Sequence, residues 1–339
     1  MSAAAQRRWR IAGAALLLVA LLVLPFLVKN YRVFQFNLVL VYAIAVLGLN
    51  ILTGYNGQIS LGHGAFYAIG AYTAAALMSN AGWPYWATLP VAALVCFVLG
   101  FLMGFPALRL SGHYLALATY ALGLAIPQLL KYRHLEGLTG GVQGIVLNKP
   151  DPPFSLRLFD QPLSADRWLY FVTLAVAALM FWLAWNLLRG RVGRALVAIR
   201  DHPIAAAAMG IDLPMFKSLT FGVSAAYTGV AGALGAVVVA FVSPDSFTIL
   251  LSISLLVGVV VGGLASIWGA IFGAIFIQYV PNIADQISKA APYAIYGAFL
   301  IGFMYLMPAG VMGLARRFGM RRRPDAAVLA SSQEAPPGG

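Results

Sequence analysis

Long uncharged apolar runs of similar length recur along almost the whole chain, separated by short polar or charged breaks. With about 20 apolar residues needed per crossing, they predict helices near 11–28, 36–53, 59–79, 86–108, 113–130, 168–188, 216–241, 249–265, 267–284 and 290–308. The expected fold class is an all-α polytopic membrane protein with about ten transmembrane helices. Nine spans fit almost as well, because between Ile249 and Val280 only Gly262-Gly263 and Ser266 offer a turn and no charge marks a loop. In the same stretch, Gly258 with Gly262 and Gly269 with Gly273 have the small-xxx-small spacing that lets membrane helices approach closely.

Composition supports this reading. Of 339 residues, 61% are hydrophobic and 9% charged, against about 25% charged in a soluble domain, which excludes a water-soluble globular protein. A net charge of +12 on a soluble chain would suggest nucleic acid. Here the cations flank apolar runs, so the implied partner is membrane lipid and no nucleic acid is expected. Fourteen of the 22 Lys and Arg fall on one side of a ten-span layout, including Arg189, Arg191, Arg194, Arg200 and Lys217. The positive-inside rule makes that side, with both termini, cytoplasmic. The basic start Arg7-Arg8-Trp9-Arg10 resembles a signal n-region, but no small-residue cleavage site follows, so 11–28 reads as a retained span. The single cysteine, Cys96, lies in an apolar run and supports neither a disulfide framework nor a thiolate metal site.

One transmembrane domain is expected over 1–320, followed by a basic, then Ala/Ser/Pro/Gly-rich cytoplasmic tail at 321–339 whose composition predicts disorder. Two connections have functional length. An external one at 131–167 contains Pro150, Pro152, Pro153 and Pro162, and an internal one spans 189–217.

Candidate chemistry is sparse. The ten segments hold no Asp or Glu, although ion-coupled transporters usually place such groups at membrane depth, so the energy source is expected outside the chain. No Gly-Lys pair occurs, which excludes a P-loop. His63 and His113 lack nucleophile or metal-ligand spacing, so neither enzyme chemistry nor a metal site is expected. The run Thr53-Gly-Tyr-Asn-Gly-Gln-Ile-Ser-Leu-Gly-His-Gly64 is polar and glycine-rich between apolar segments, and it predicts a glycine-rich helix break. Irregular backbone at membrane depth survives where protein or a wet cavity satisfies its amides. Asn56, Gln58, Ser60 and His63 are therefore candidates for lining a path. The other reading is a cytoplasmic turn whose glycines permit close packing.

The internal connection carries its own helix signals: Asp201 or His202 as N-cap, Pro203 in the first turn, and Gly210 at the C-terminal end. A two-turn helix is marginal alone. Ile204 to Met209 is thus expected to dock on a partner, or to lie on lipid headgroups helped by Arg191, Arg194 and Arg200.

Three segments carry a family resemblance: Leu52 to Phe66 with Gly70-Ala-Tyr72, then Leu138-Thr-Gly-Gly141 with Gly144-Ile145, then Ile199-Arg-Asp201 through Ala205-Ala206, Met209-Gly-Ile211 and Lys217. From about Asn37 to Gly313 the chain resembles the LivM-type permease subunits of ATP-binding-cassette importers for branched-chain amino acids. The resemblance implies that Arg200, Asp201, Ile204, Ala205, Ala206, Ala208, Met209 and Gly210 form a short cytoplasmic coupling helix docking on an ATPase. It places Thr139, Gly140, Gly141 and Gly144 in an external motif facing a binding protein or the mouth of the path. It further implies a heterodimer with a LivH-like permease, two cytoplasmic cassette ATPases that use ATP, an external amino-acid-binding protein, and a bacterial inner-membrane location. No cofactor is expected on this chain itself. His202-Pro203 and the alanine run after it depart from the family pattern. Relatives of the same architecture carry urea or short amides, and an ion-coupled secondary transporter is the rival from another class.

Overall fold

The computed structural model describes residues 21–109, 112–154, 157–158, 161–287, 289, 292–307 and 310–314. Most of the first expected span and the whole 321–339 tail therefore lie outside the described residues. Helices stand at the other nine expected positions: α1 Asn30–Asn50, α2 His63–Ala81, α3 Tyr85–Arg109, α4 His113–Leu130, α5 Ala165–Arg189, α8 Leu213–Val239, α9 Ile249–Gly262, α10 Gly269–Ile287 and α11 Pro292–Leu306. Between α5 and α8 lie α6, Arg191–Asp201, and α7, Pro203–Ala208. By length and composition, five described helices qualify as membrane spans, or six if the bent pair after Tyr114 counts as one. The protein is a polytopic helical membrane protein, and the count of ten crossings is not established by this criterion.

The centre of the bundle is α8, which packs on α1, α2 and α3, while α1 also meets α5, α9 and α10. Both α8 and α1 are buried over most of their apolar length, whereas α3 and α5 keep one face outward. With little hydrophobic gain from pairing helices in lipid, close backbone contact must hold them. The glycine pairs do this. A Cβ on Gly273 would collide with the Gly258 carbonyl, and one on Gly262 with the Gly269 carbonyl, so the two spaced motifs are pressed against each other. Gly70 meets the Gly229 backbone between α2 and α8 in the same way.

At 27 residues, α8 rises about 40 Å. Its N-terminal end adjoins α7. Beyond its C-terminal end, β4 (Phe241–Val242) pairs antiparallel with β1 (Ile145–Val146) of the long loop. The two long connections therefore lie at opposite ends of the bundle, as the charge pattern requires. Within that loop β2 (Arg157–Leu158) pairs with β3 (Gln161–Pro162). Residues 21–27 are helical, and they are tied down where buried Arg167 donates from Nε to the Pro25 carbonyl at 3.0 Å.

Candidate functional site: a helix break latched to the internal loop

The break begins two residues before the glycine-rich run and overlaps its start. After Asn50 the α1 backbone widens into a π-helical turn, Ile51–Tyr55, then leaves helical geometry until α2 starts at His63. The expected span at 59–79 thus starts four residues late, because residues 57–62 are spent on the turn. Gly57 at φ +75° supplies a backbone conformation that side chains disfavour. The amides freed by the break find partners within the protein. Leu61 N donates to Thr119 Oγ1 on α4 at 3.0 Å, Gly64 N to Ser252 Oγ on α9 at 2.8 Å, and Gln58 N to the Leu52 carbonyl at 3.2 Å.

A second break, between α9 and α10, packs against the first. Asn50 holds it with both ends of its amide: Nδ2 donates to the Ser266 carbonyl at 2.8 Å, and Oδ1 accepts from Ala265 N at 3.0 Å. Gly54 lies against this bridge, where a side chain would strike Asn50 Oδ1 and the Ala265 backbone.

The four sequence candidates in the first break divide into two pairs. Ser60 and His63 are both buried and enter an internal chain of hydrogen bonds. Ser224 Oγ on α8 donates its single hydrogen to the Gly48 carbonyl at 2.6 Å. His63 Nε2, 2.7 Å from that oxygen, must therefore donate to it, which leaves Nδ1 as acceptor for the Ser60 hydroxyl at 2.9 Å. The ring is neutral with both nitrogens engaged, and Phe66 and Phe221 pack against it. Asn56 and Gln58 are buried too, but they line a cleft of about 200 Å³ together with Gly57, Ile59, Gly112, Leu115, Ile199, Arg200, Pro203 and Lys217. Sequence reasoning missed the participation of Asn50, Thr119, Ser224 and Ser252. A lone amide ending an apolar run was the available signal for Asn50, whereas a serine or threonine in a membrane helix carries none.

The internal loop forms the other wall of that cleft. α6 buries Gly193, Leu196 and Ile199 and packs on α5 and on the π turn. The sequence signals no separate helix here: Arg191, Arg194 and Arg200 are expected on lipid headgroups only as the alternative to docking, and Arg200 and Asp201, expected in the short helix, end α6 instead. From its last turn Arg200 reaches inward, donating from Nη1 to the Gly54 carbonyl at 2.8 Å. A Cβ on Gly57 would lie 2.8 Å from Arg200 Cγ, so the arginine stem runs directly over the break. Arg200 Nε also binds Asp201 Oδ1 at 2.8 Å. That hydrogen bond holds the Asp201 carboxyl below its ordinary range. The pair is thus complete at neutral pH and is lost only as pH falls through the lowered value.

The short helix follows the expected signals. His202 is the N-cap residue, Pro203 occupies the first turn, and Gly210 at φ +84° lies just past the end. Of its residues only Ala206 is buried; Ile204 and Met209 are 87% and 84% exposed. Ile204 on this helix and Met209 just past its end thus leave two apolar side chains open at the end of the bundle.

At the opposite end, the Thr139 to Gly144 motif is a tightly built corner. Thr139 Oγ1 lies 2.8 Å from the Leu130 carbonyl and 3.0 Å from the Leu135 carbonyl, which share its one hydrogen, and accepts from Gly141 N. Gly140, Gly141 and Gly144 all have positive φ, and Gly144 lies against the Val242 carbonyl with no room for a side chain. Lys131 pairs with Asp245 across the same corner. Around it Leu138, Val142 and Val146 are more than half exposed. No group of His, Cys, Asp and Glu able to hold a metal occurs among the described residues.

The fold is that of a polytopic helical membrane protein in which the turn between α1 and α2 packs against the turn between α9 and α10 and is tied by Arg200 to the internal loop. Residues 32–307 match the family described as branched-chain amino acid transport system / permease component, and the chain belongs to that family. It is 39% identical over 274 residues to the high-affinity branched-chain amino acid transport system permease protein LivM of Escherichia coli K12, and 38% identical to the protein of the same name from Salmonella typhimurium LT2. Each alignment covers 74% of this chain and 64% of the relative. No solved structure matches.

Proposed function

We propose that the protein is the permease subunit of an ATP-binding-cassette importer for branched-chain amino acids, seated in a bacterial inner membrane with both termini cytoplasmic. It works with a LivH-like permease, two cassette ATPases and an external binding protein. The substrate passes unaltered by alternating access, and the energy comes from ATP on the partner subunits. The observation that carries this reading is the hydrogen bond from Arg200 to the Gly54 carbonyl. It ties the loop bearing the exposed Ile204 and Met209 to the break in the membrane helix, so movement at an ATPase surface reaches the helix turn directly. Family membership supports the substrate class.

Within this reading Asn56 and Gln58 border the inner end of the path, Ser60 and His63 hold the break in shape, and Arg200 to Gly210 form the coupling element. Thr139 to Gly144 shape an outer corner whose apolar rim receives the binding protein. The test is replacement of Ala205 to Ala208 by bulky or charged residues in the assembled importer. Loss of ATPase co-purification with normal membrane insertion is expected, together with loss of ATP-dependent leucine uptake in proteoliposomes. Unchanged assembly would overturn the docking assignment.

A further inference from the structure

We infer that Asn50 is a positioning residue for transport: its amide is a catch that holds the turn between α9 and α10 in a strained conformation and releases it when the coupling loop shifts the π-helical turn. The inference deepens the permease reading and rests on it, because the pull on Gly54 comes from an ATPase surface.

The catch has a specific chemistry. Asn50 is buried and directs both ends of its amide at two consecutive residues of the other segment, Nδ2 at the Ser266 carbonyl and Oδ1 at Ala265 N. A primary amide presents a donor and an acceptor on one short planar group. Aspartate would turn a second acceptor toward the Ser266 carbonyl, and leucine would leave both backbone groups unanswered. The gripped residue is itself unusual. Ala265, at φ +54°, is one of two non-glycine residues with positive φ among the described residues. Its Cβ disfavours that conformation, which persists only where the surroundings over-determine it. Gly263, two positions earlier at φ +111°, has no Cβ and makes its part of the turn without strain.

The amide also lies in line with the latch. Arg200 holds the Gly54 carbonyl, and a Cβ on Gly54 would fall 2.5 Å from Ala265 N and strike Asn50 Oδ1, so the latched residue touches both the catch and what it grips. On the far side Gly310 presses on Gly263, its ideal Cβ 2.6 Å from Gly263 Cα, which seats the helical residues 310–314 on the same turn. Backbone meets backbone at both contacts, and no flexible side chain is there to absorb a shift. Asn50 directly precedes the π turn Ile51–Tyr55, a helical form that occurs mostly as single turns at functional sites. When such a turn reverts to α geometry, the residues before it rotate relative to those after it, and the amide swings away from Ala265. Ala265 then returns to ordinary backbone geometry and re-aims α10 against α9. Each break thus has two discrete arrangements, which is what coupling between distant sites physically requires.

The experiment places a spin label in one break at a time, on I59C or L264C, in the full importer assembled with cysteine-free partner subunits in nanodiscs. Ile59 and Leu264 are 45% and 53% exposed, while the native Cys96 is buried. Spectra are recorded without nucleotide and with ATP trapped by vanadate, and both labels should respond to ATP. N50L frees the second turn, so the L264C label should give one signal whatever the nucleotide, while the I59C label still responds. A265G keeps the gripped backbone groups but removes the Cβ penalty. It should fix the L264C label at the opposite end of the unsubstituted range, leave the melting temperature unchanged or higher, and cut leucine uptake per ATP hydrolysed at least fivefold. This second variant tests the catch even where N50L fails to assemble, because a merely structural contact predicts normal transport in A265G. Normal transport in A265G would overturn the inference, as would an L264C label indifferent to ATP without either substitution, or loss of the I59C response in an assembled N50L importer. ATP-driven uptake by the unsubstituted importer keeps the permease reading separate: uptake with an indifferent L264C label rejects the catch alone, and absence of uptake rejects the importer and the catch with it.

Discussion

At the scale of single residues, His63 and Arg200 make opposite predictions. The His63 ring closes a chain running from Ser60 through Ser224 to the Gly48 carbonyl. H63A leaves two buried hydroxyls short of a partner and opens a void beside the packed rings of Phe66 and Phe221. The expected loss is about 1–3 kcal/mol for the unpaired groups, read as a lower melting temperature of the purified complex, with uptake falling only in step with folded protein. Uptake abolished at unchanged melting temperature would instead put His63 on the path. R200K keeps the positive charge but replaces a fixed guanidinium fork by a single flexible ammonium. It should retain ATPase binding, as measured by co-purification, and lose most ATP-coupled uptake. Full coupling in R200K would show that the Gly54 contact transmits nothing.

At the scale of elements, the α9 and α10 pair shows how much of the fold was legible. The repeated glycine spacing at 258, 262, 269 and 273 announces backbone contact because the requirement is local: each glycine must lack a Cβ wherever the neighbour falls. G273L should therefore prevent the pair from closing, and the variant should be missing from the monodisperse peak in size-exclusion chromatography while G297L, at an open position, stays in it. The glycine-rich turn and the short helix Pro203–Ala208 were legible for the same reason, since glycine, proline and capping residues act within a few positions. What sequence could not supply was the pairing of distant pieces. Arg200 and Gly54 are 146 positions apart, and Asn50 and Ser266 are 216 apart. Nothing in the periodicity of either segment names its partner. The amphipathic α6 was hidden by its basic residues, which suit a lipid surface as well as a packed helix. The division of the four break candidates was likewise illegible, because Asn56 and His63 differ in role only through what α6 and α8 bring beside them.

At the scale of the molecule, the proposed transport cycle requires the two long connections to face opposite compartments. Strand pairing fixes the Ile145 end to the far end of α8, and α7 lies at its near end. In the orientation proposed above, which the charge bias supports, α7 faces the cytoplasm. Cysteine scanning can read this directly, because the native thiol is unobtrusive: Cys96 is fully buried and directed at the Phe66 carbonyl. Val142 is exposed on the outer corner and Ala207 on the coupling helix. In intact spheroplasts a membrane-impermeant maleimide should label V142C and spare A207C, and permeabilised cells should label both. The assembled importer should protect A207C even after permeabilisation, because an ATPase seated on Ile204 and Met209 covers its neighbours. Labelling of A207C in intact spheroplasts would reverse the orientation, placing the latch and its cleft on the side where substrate arrives and leaving the ATPases without a surface to act on.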